Sequence, residues 1–229
     1  EWAAGNLRAD GNRLNGLGIP WYNSSKLYNG LFDAYRLCGN KEAREVLVRL
    51  ADWCASVVGK FDEAQLQQML AAEHGDIADA LANVYAMTGE PRHLAVAKKF
   101  RHDAVFAPIA AGIDCLDMMH ANTQIPKFRG YQRIHELTGE TYWGNGASNF
   151  WRFVALERSY ANGGNSYHEH FHPRDKFEEA MRVTPGPETC NTYNMLRLTH
   201  HLFAETADAA KMDYYERAIN NQILPSQHP

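Results

Sequence analysis

The sequence contains few cysteines, and none of them forms a CxxC pair. The four are scattered along 229 residues, at Cys38, Cys54, Cys115 and Cys190. A small domain built on disulfides would be far richer in cysteine, so that class of protein is excluded. Cys38 and Cys54 lie in mainly apolar helical contexts, which predicts that both are buried. Only Cys190 has polar neighbours that suggest a chemical role.

Positive charge and long apolar segments are also lacking. The formal net charge is −4, and binding to a nucleic acid needs a basic face, so we expect no nucleic-acid partner. No apolar run approaches the roughly 18 residues that suggest a membrane span, so we expect no membrane partner. The chain opens at Glu1 without a signal peptide, and we expect that an upstream segment has been removed. The compartment stays open between a periplasmic or secreted location and a cytoplasmic one.

Alternating, strand-like patterns are almost absent, and helical patterns repeat instead. Three segments align at a spacing of 50 residues, and in each a helical pattern stops at a glycine: Gly39, Gly89 and Gly139. Glycine commonly ends helices because it adopts the left-handed conformation at low cost. A fourth copy, without the glycine, is predicted to begin at His200.

Helix pairs that repeat at this length predict either an open α-solenoid or a closed α/α toroid. Irregular segments rich in His, Asn and Gly interrupt the repeats at residues 103–126 and 159–188. Loops of that length in a compact domain are usually functional. This favours the all-α toroid, with a pocket formed by the long loops at one end.

Glu169 is the first candidate for catalysis. It follows the GGN turn at residues 163–165 and lies between His168 and His170. Neighbouring histidines, partial burial and flanking aromatic rings would suit it to proton transfer. The alternative is a loop carboxylate that caps a helix or pairs with Arg174.

Three histidines alternate in the same segment, at His168, His170 and His172. In an extended segment all three would project to one side, and zinc or another transition metal would suit them. The other interpretation is that they line a polar pocket and hydrogen-bond to a ligand or to the backbone.

Glu188 and Cys190 form the second candidate site, at the start of a predicted helix from about Thr189. They could give Zn²⁺ one oxygen and one thiolate. Structural zinc takes four ligands, so two would have to come from elsewhere. The alternative is a glutamate at a helix start beside a buried cysteine.

Polar residues at two other helix starts are candidates for substrate binding. His120, Asn122 and Gln124 open the HANTQIPK segment, and His74 precedes Gly75. These positions are typical of a pocket rim, although each residue could also be an ordinary helix cap.

Several aromatic residues could stack against a sugar. Trp21, Tyr22 and Trp143 are such candidates, although each could equally belong to the core. Tyr193, in the helix that follows Cys190, is a further candidate for substrate binding.

Four segments, in this order, resemble the glycoside hydrolases related to β-L-arabinofuranosidases, families 127 and 146: PWYNSSKLYNGLFDAY, HANTQIPK, GGNSYHEHF and GPETCNTYNMLRLTHHLF. The resemblance runs from about Trp2 to the closing QHP. It implies an (α/α)6 barrel as catalytic domain, with β-sandwich domains after it. It also implies removal of L-arabinofuranose from plant glycans or glycoproteins with retention, by a cysteine nucleophile held near zinc.

The resemblance also implies roles for individual residues. Glu169 matches the general acid/base, and Glu188 and Cys190 match two zinc ligands. The remaining two ligands of the family are adjacent cysteines further downstream, the first being the nucleophile, and this sequence contains no Cys-Cys pair. Residues 1–229 are therefore predicted to form a partial barrel, its N-terminal and middle part, without the last barrel helices and the β-sandwich domains.

The implied partner is a glycan that contains L-arabinofuranosides, and a second chain or a homo-oligomer could complete the barrel. Relatives usually carry Leu-His where this chain has Ser24–Ser25, so either the specificity differs or this stretch does not contact sugar. Alone, the chain is expected to be inactive unless another polypeptide supplies the missing segment.

Two further hypotheses stay open. One is a sugar-binding or structural α/α domain without catalysis. The other is a different metal enzyme that uses His168, His170 and His172. Metal bound to these histidines would favour the second, and sugar binding without turnover would favour the first.

Overall fold

The structure is a computed structural model that describes residues 1–11, 13–73 and 76–227. These residues are mainly helical, which confirms the predicted all-α class. The described strands form a single short antiparallel hairpin, β1 (Ala9–Asp10) and β2 (Arg13–Leu14). Within these ranges, no helix has both the length and the apolar character needed to cross a membrane.

The α-helices are α1 (Pro20–Cys38), α2 (Lys41–Val58), α3 (Glu63–Ala72), α4 (Ile77–Thr88), α5 (Pro91–Lys99), α6 (Asp103–Ala110), α7 (Ala121–Thr138), α8 (Thr141–Arg152), α9 (Phe177–Ala180), α10 (Thr189–Thr206) and α11 (Ala209–Ala218). π-Helical turns extend α8 and α11, at Phe153–Arg158 and Ile219–Ile223. Short 3-10 segments lie at Trp2–Ala4, Arg174–Lys176 and Leu224–Ser226. The chain forms two compact units, residues 1–103 and 104–229.

The ends of the repeated helices confirm the predicted repeat. Gly39, Gly89 and Gly139 follow α1, α4 and α7 with φ of 68°, 72° and 71°. Ala207 follows α10 with φ of 50°, and its N–H donates to the carbonyl of Phe203 at 2.8 Å. The fourth copy therefore ends its helix in the same left-handed conformation, with alanine in place of glycine.

In the first unit, α1 packs against α2 and α4, and α4 packs against α5. Trp21 is buried in this core, stacks on Trp2 with ring centroids 5.1 Å apart, and donates its indole N–H to Sδ of Met69 at 3.0 Å. Of the two interpretations for Trp21, the structure therefore supports the core residue and not the sugar platform.

In the second unit, α7 packs against α8 and α10, and α10 packs against α11. Its core is rich in aromatic rings. Phe128 and Phe150 stack with centroids 4.0 Å apart, and the buried Trp143 lies 5.3 Å from Phe106. Trp143 is thus also a core residue.

Two expectations from the sequence are wrong. Cys54 is buried as predicted, but Cys38 is exposed, because it is the last residue of α1 and lies on a face that the described residues leave open. Residues 103–126 are not irregular throughout. Residues 103–110 form α6, whose Val105, Phe106 and Ile109 are buried, and α7 begins at Ala121, so the connecting loop is limited to residues 111–120.

Candidate active site

Glu169 lies at the tip of a two-residue hairpin. Tyr167 and His170 exchange backbone hydrogen bonds of 3.0 and 2.8 Å, which leaves His168 and Glu169 as the two turn residues. Both have positive φ, 44° and 66°, as a type I′ turn requires. Because residues other than glycine adopt this conformation at a cost, the surrounding structure must hold the turn in place.

The side chain of Glu169 is 57% exposed. The predicted partial burial is therefore wrong, because Glu169 lies at the hairpin tip, where both turn residues are exposed. Arg174, the partner in the alternative interpretation, instead lies 2.6 Å from Glu157. Glu169 is thus neither a helix cap nor the partner of Arg174, and its carboxylate is accessible.

A short antiparallel ladder anchors this hairpin to the segment before α7. Three backbone hydrogen bonds join residues 118–121 to residues 169–171. They run from Met118 N to Phe171 O (3.0 Å), from Phe171 N to Met119 O (2.9 Å) and from Ala121 N to Glu169 O (2.8 Å). The ladder places His120 opposite His170, so two residues predicted from separate motifs meet at one site.

The His120 side chain contacts Glu169. Its Nε2 lies 3.2 Å from Oε2 of Glu169. Its Nδ1 accepts a hydrogen bond from the backbone N–H of Thr123 at 3.2 Å and so caps α7. The ring of His170 packs against that of His120 in an edge arrangement, with centroids 5.3 Å apart.

Arg158 links the loop before α7 to the chain segment that follows the hairpin. It is fully buried at the end of the π-helical turns after α8. Its guanidinium donates to Asp114 at 2.9 Å, to Asp117 at 2.6 Å and to the carbonyl of His172 at 2.5 Å. A buried charge is retained only where it is paired and hydrogen-bonded, so this cluster holds the two irregular segments together.

The three alternating histidines do not form a metal site. The turn at His168 breaks the extended run. His172 is fully buried, with Nδ1 2.8 Å from the carbonyl oxygen of Pro173 and Nε2 3.2 Å from that of Arg158. In the ranges that the structure describes, no three His, Cys, Asp or Glu side chains are grouped for a metal ion. For His172, the interpretation as a partner of the backbone is the correct one.

Glu188 and Cys190 converge at the start of α10. Glu188 is the N-cap residue, and its Oε2 lies 3.6 Å from Sγ of Cys190. Burial, and then the charge of Glu188, raise the pKa of Cys190 to about 11. One carboxylate and one sulfur this close fit two of the four positions around zinc. The described residues supply only these two.

An amide network surrounds this pair. Asn194 lies one turn after Cys190 on α10. Its Nδ2 donates to Oδ1 of Asn122 at 2.9 Å and to the carbonyl of Cys190 at 3.1 Å. Its Oδ1 accepts from Arg129 at 3.3 Å. Asn194 and Arg129 were not predicted, although the four-residue spacing of Cys190 and Asn194 places both on one face of a helix.

The other predicted binding residues lie in different environments. Gln124 is buried and accepts a hydrogen bond from Lys127 at 3.2 Å. Lys127 is itself buried, which lowers its pKa to about 7 because burial disfavours the charged form. Tyr193 is 54% exposed. His74 lies outside the described residues.

The family follows from a sequence comparison that spans nearly the whole chain. The family model for the β-L-arabinofuranosidase GH127 catalytic domain matches residues 3–229. The chain belongs to this family. The match confirms the resemblance seen in the four motifs, and it includes every residue of the candidate site. Comparison with the curated proteins gave no match.

Solved structures show the same fold. A GH127 β-arabinofuranosidase aligns with a TM-score of 0.67 and 18% identity, over 88% of this chain and 33% of that chain. A GH127 β-L-arabinofuranosidase from Geobacillus stearothermophilus T6 aligns with a TM-score of 0.68 and 18% identity, over 88% and 36%. A third, a glycoside hydrolase, aligns with a TM-score of 0.63 and 15% identity, over 89% and 37%. The likeness confirms the predicted fold class, and the chain spans about a third of each of these proteins.

Proposed function

We propose that this chain provides the acid/base half of a retaining glycoside hydrolase that releases L-arabinofuranose from plant glycans or glycoproteins. One observation carries the proposal: Glu169 presents an exposed carboxylate on a backbone that a ladder and a buried arginine hold in place. Catalytic carboxylates need this combination of access and fixed position.

In the proposed reaction, Glu169 works in two steps. As an acid, it donates its proton to the leaving glycosidic oxygen while a thiolate outside these 229 residues attacks the anomeric carbon. As a base, it then accepts a proton from the water that resolves the intermediate and is thereby restored. His168, His170 and Asn122 lie near this carboxylate or near Cys190, and we propose that they bind sugar hydroxyls.

Glu188 and Cys190 would hold Zn²⁺, with two further ligands from outside these 229 residues. Bound zinc keeps sulfur ligands ionised at neutral pH. Cys190 would have to lose its proton on binding, because its pKa lies near 11 without metal.

A second candidate function is a sugar-binding domain without catalysis. The observation that favours it is the pair Ser24–Ser25, which stands where the resemblance to the family implies Leu-His. Such a protein would bind arabinofuranosides through the same exposed hairpin and would release no sugar.

The test is release of L-arabinose from arabinofuranosides, with added zinc, by an extended protein in which these 229 residues are joined to the segment that supplies the thiolate and the two further zinc ligands. We expect turnover, and a loss of about 10²–10⁴-fold in Glu169→Gln, the range typical of a lost general acid/base. Glu178→Gln is the matched control, because Glu178 is an exposed carboxylate of the same segment, 2.5 Å from Arg182. Sugar binding without release would establish the second function instead, and full activity in Glu169→Gln would contradict the role of Glu169.

A further inference from the structure

We propose that His120 is a positioning residue that holds and aims the carboxylate of Glu169. This inference rests on the proposed function of Glu169, and it gives His120 a role different from binding sugar. Three observations support it: the backbone between the two residues, the state of the imidazole ring, and the oxygen that the ring contacts.

The backbone sets the separation of the two side chains. The N–H of Ala121, next to His120, donates to the carbonyl of Glu169 itself at 2.8 Å. His120 is at the same time the N-cap residue of α7. The pair is therefore fixed at both ends, by a helix start on one side and by a two-residue turn on the other.

The contacts of Nδ1 indicate which nitrogen of the His120 ring carries the proton. Nδ1 accepts the N–H of Thr123 and lies 3.1 Å from Oγ1 of the same residue. A nitrogen that accepts a hydrogen bond carries no proton, so in the neutral ring the hydrogen is on Nε2. Nε2 is the atom that lies 3.2 Å from Glu169. The cap thus turns the N–H of the ring towards the carboxylate.

The contact selects one oxygen of Glu169. A glutamate at an exposed turn would otherwise sample several rotamers. Each freely rotating side-chain bond reduces the fraction of molecules whose carboxylate is in a reactive position. Because His120 contacts Oε2, the other oxygen, Oε1, is the one presented to a leaving group. The neighbouring ring of His170, 5.3 Å away, limits rotation of the imidazole.

The first test separates positioning from sugar binding by kinetics. His120→Asn keeps a side chain suited to the N-cap of α7 but is too short to reach Glu169. General-acid help matters more for a poor leaving group. In the extended protein that carries the thiolate, we therefore expect kcat to fall about tenfold or more on methyl L-arabinofuranoside and about threefold or less on the p-nitrophenyl compound, with KM nearly unchanged. Adding His120→Asn to Glu169→Gln should not lower kcat further, because the effects of substitutions at coupled residues are not additive.

The opposite pattern would overturn the inference. A higher KM on both substrates, with losses that multiply in the double variant, would make His120 a sugar contact that acts independently of Glu169.

The second test does not depend on turnover. In protein labelled with ¹³C in Glu and His, we expect a nuclear Overhauser contact between the His120 ring and the Glu169 side chain, lost in His120→Asn. Thr123→Val, which keeps the capping N–H, should retain the contact. If the unmodified protein lacks the contact between His120 and Glu169, the inference is contradicted even if arabinose is released. A present contact in a protein that releases no arabinose would leave the positioning intact and reject the proposed function.

Discussion

At the scale of single residues, the state of Cys190 decides how a metal could bind. Its thiol is half-buried beside the carboxylate of Glu188, and the raised pKa of about 11 keeps it protonated at neutral pH. A metal ion that binds this sulfur must therefore displace one proton. The free energy needed to remove that proton falls as the pH rises, so the metal affinity of this site depends on pH.

Zinc titration by calorimetry checks this linkage. In the extended protein we expect the affinity for Zn²⁺ to rise at least about tenfold for each pH unit between pH 6 and 8, since Cys190 releases one proton per ion and each further cysteine ligand adds to the release. Cys190→Ser and Glu188→Gln should each weaken binding by more than the roughly 10–100-fold seen for outer partners of a metal. Cys38→Ser removes an exposed thiol elsewhere and should leave the affinity unchanged. Equal affinities in Cys190→Ser and the parent would exclude this site.

Part of the candidate site could be predicted from the sequence. Contacts between residues close in sequence were predicted, and contacts between distant residues were not. Glu188 and Cys190 are two residues apart at a helix start, so local pattern was enough to pair them. Glu169 and His120 were each singled out, but their contact spans 49 residues and depends on a ladder that no local pattern shows. Arg158 was missed for the same reason, because its partners lie more than ten residues away on either side.

At the scale of the helices, the four repeats differ in the residue that ends them. Three use glycine and the fourth uses Ala207, all with φ between 50° and 72°. The left-handed conformation costs a non-glycine residue about 1–2 kcal/mol. The fourth helix end therefore carries a strain that the other three avoid.

Exchanging the two residue types measures this strain. We expect Ala207→Gly to raise the free energy of unfolding by about 0.5–1 kcal/mol, since relief of strain is partly offset by the greater freedom of glycine in the unfolded chain. Gly89→Ala, at the equivalent position after α4 and with open space around it, should lower the free energy by about 1 kcal/mol. Urea unfolding followed by circular dichroism gives both values. A destabilised Ala207→Gly would show that the methyl group has a packing role instead.

Helix ends were predictable because they depend on neighbouring residues, whereas the hairpin of β1 and β2 was not predicted. Its two strands have two residues each, too few for an alternating pattern to appear. The helix α6 was missed, and its residues were assigned to an irregular segment; it contains Pro108, and proline usually marks the end of a helix. Local rules thus gave the repeat and failed at the elements that depend on packing.

At the scale of the whole molecule, buried and paired carboxylates give opposite dependences of stability on pH. Hydrogen bonding to Arg92 lowers the pKa of Asp52, so its contribution is present above its usual pKa and is lost as the pH falls. Burial raises the pKa of Glu73 to about 8, although the backbone N–H of Tyr22 donates to it at 2.7 Å. Between the unfolded pKa near 4.5 and about 8, the folded state holds a proton that the unfolded state has lost. Stability due to Glu73 is therefore complete below pH 4.5 and declines as the pH rises towards 8.

Glu73→Gln tests this account, because the amide keeps an acceptor for the Tyr22 N–H and cannot ionise. We expect the variant and the parent to have similar melting temperatures at pH 5. At pH 8.5 the variant should be more stable by at least about 1.4 kcal/mol, the equivalent of one pKa unit, which is roughly 3–6 °C in Tm for a chain of this size. Differential scanning calorimetry across this range gives both values. Glu216→Gln, an exposed carboxylate on α11, should follow the parent at every pH. If Glu73→Gln is instead the less stable protein at pH 8.5, the ionised carboxylate stabilises the start of α1, and the decline in stability with rising pH must come from other groups.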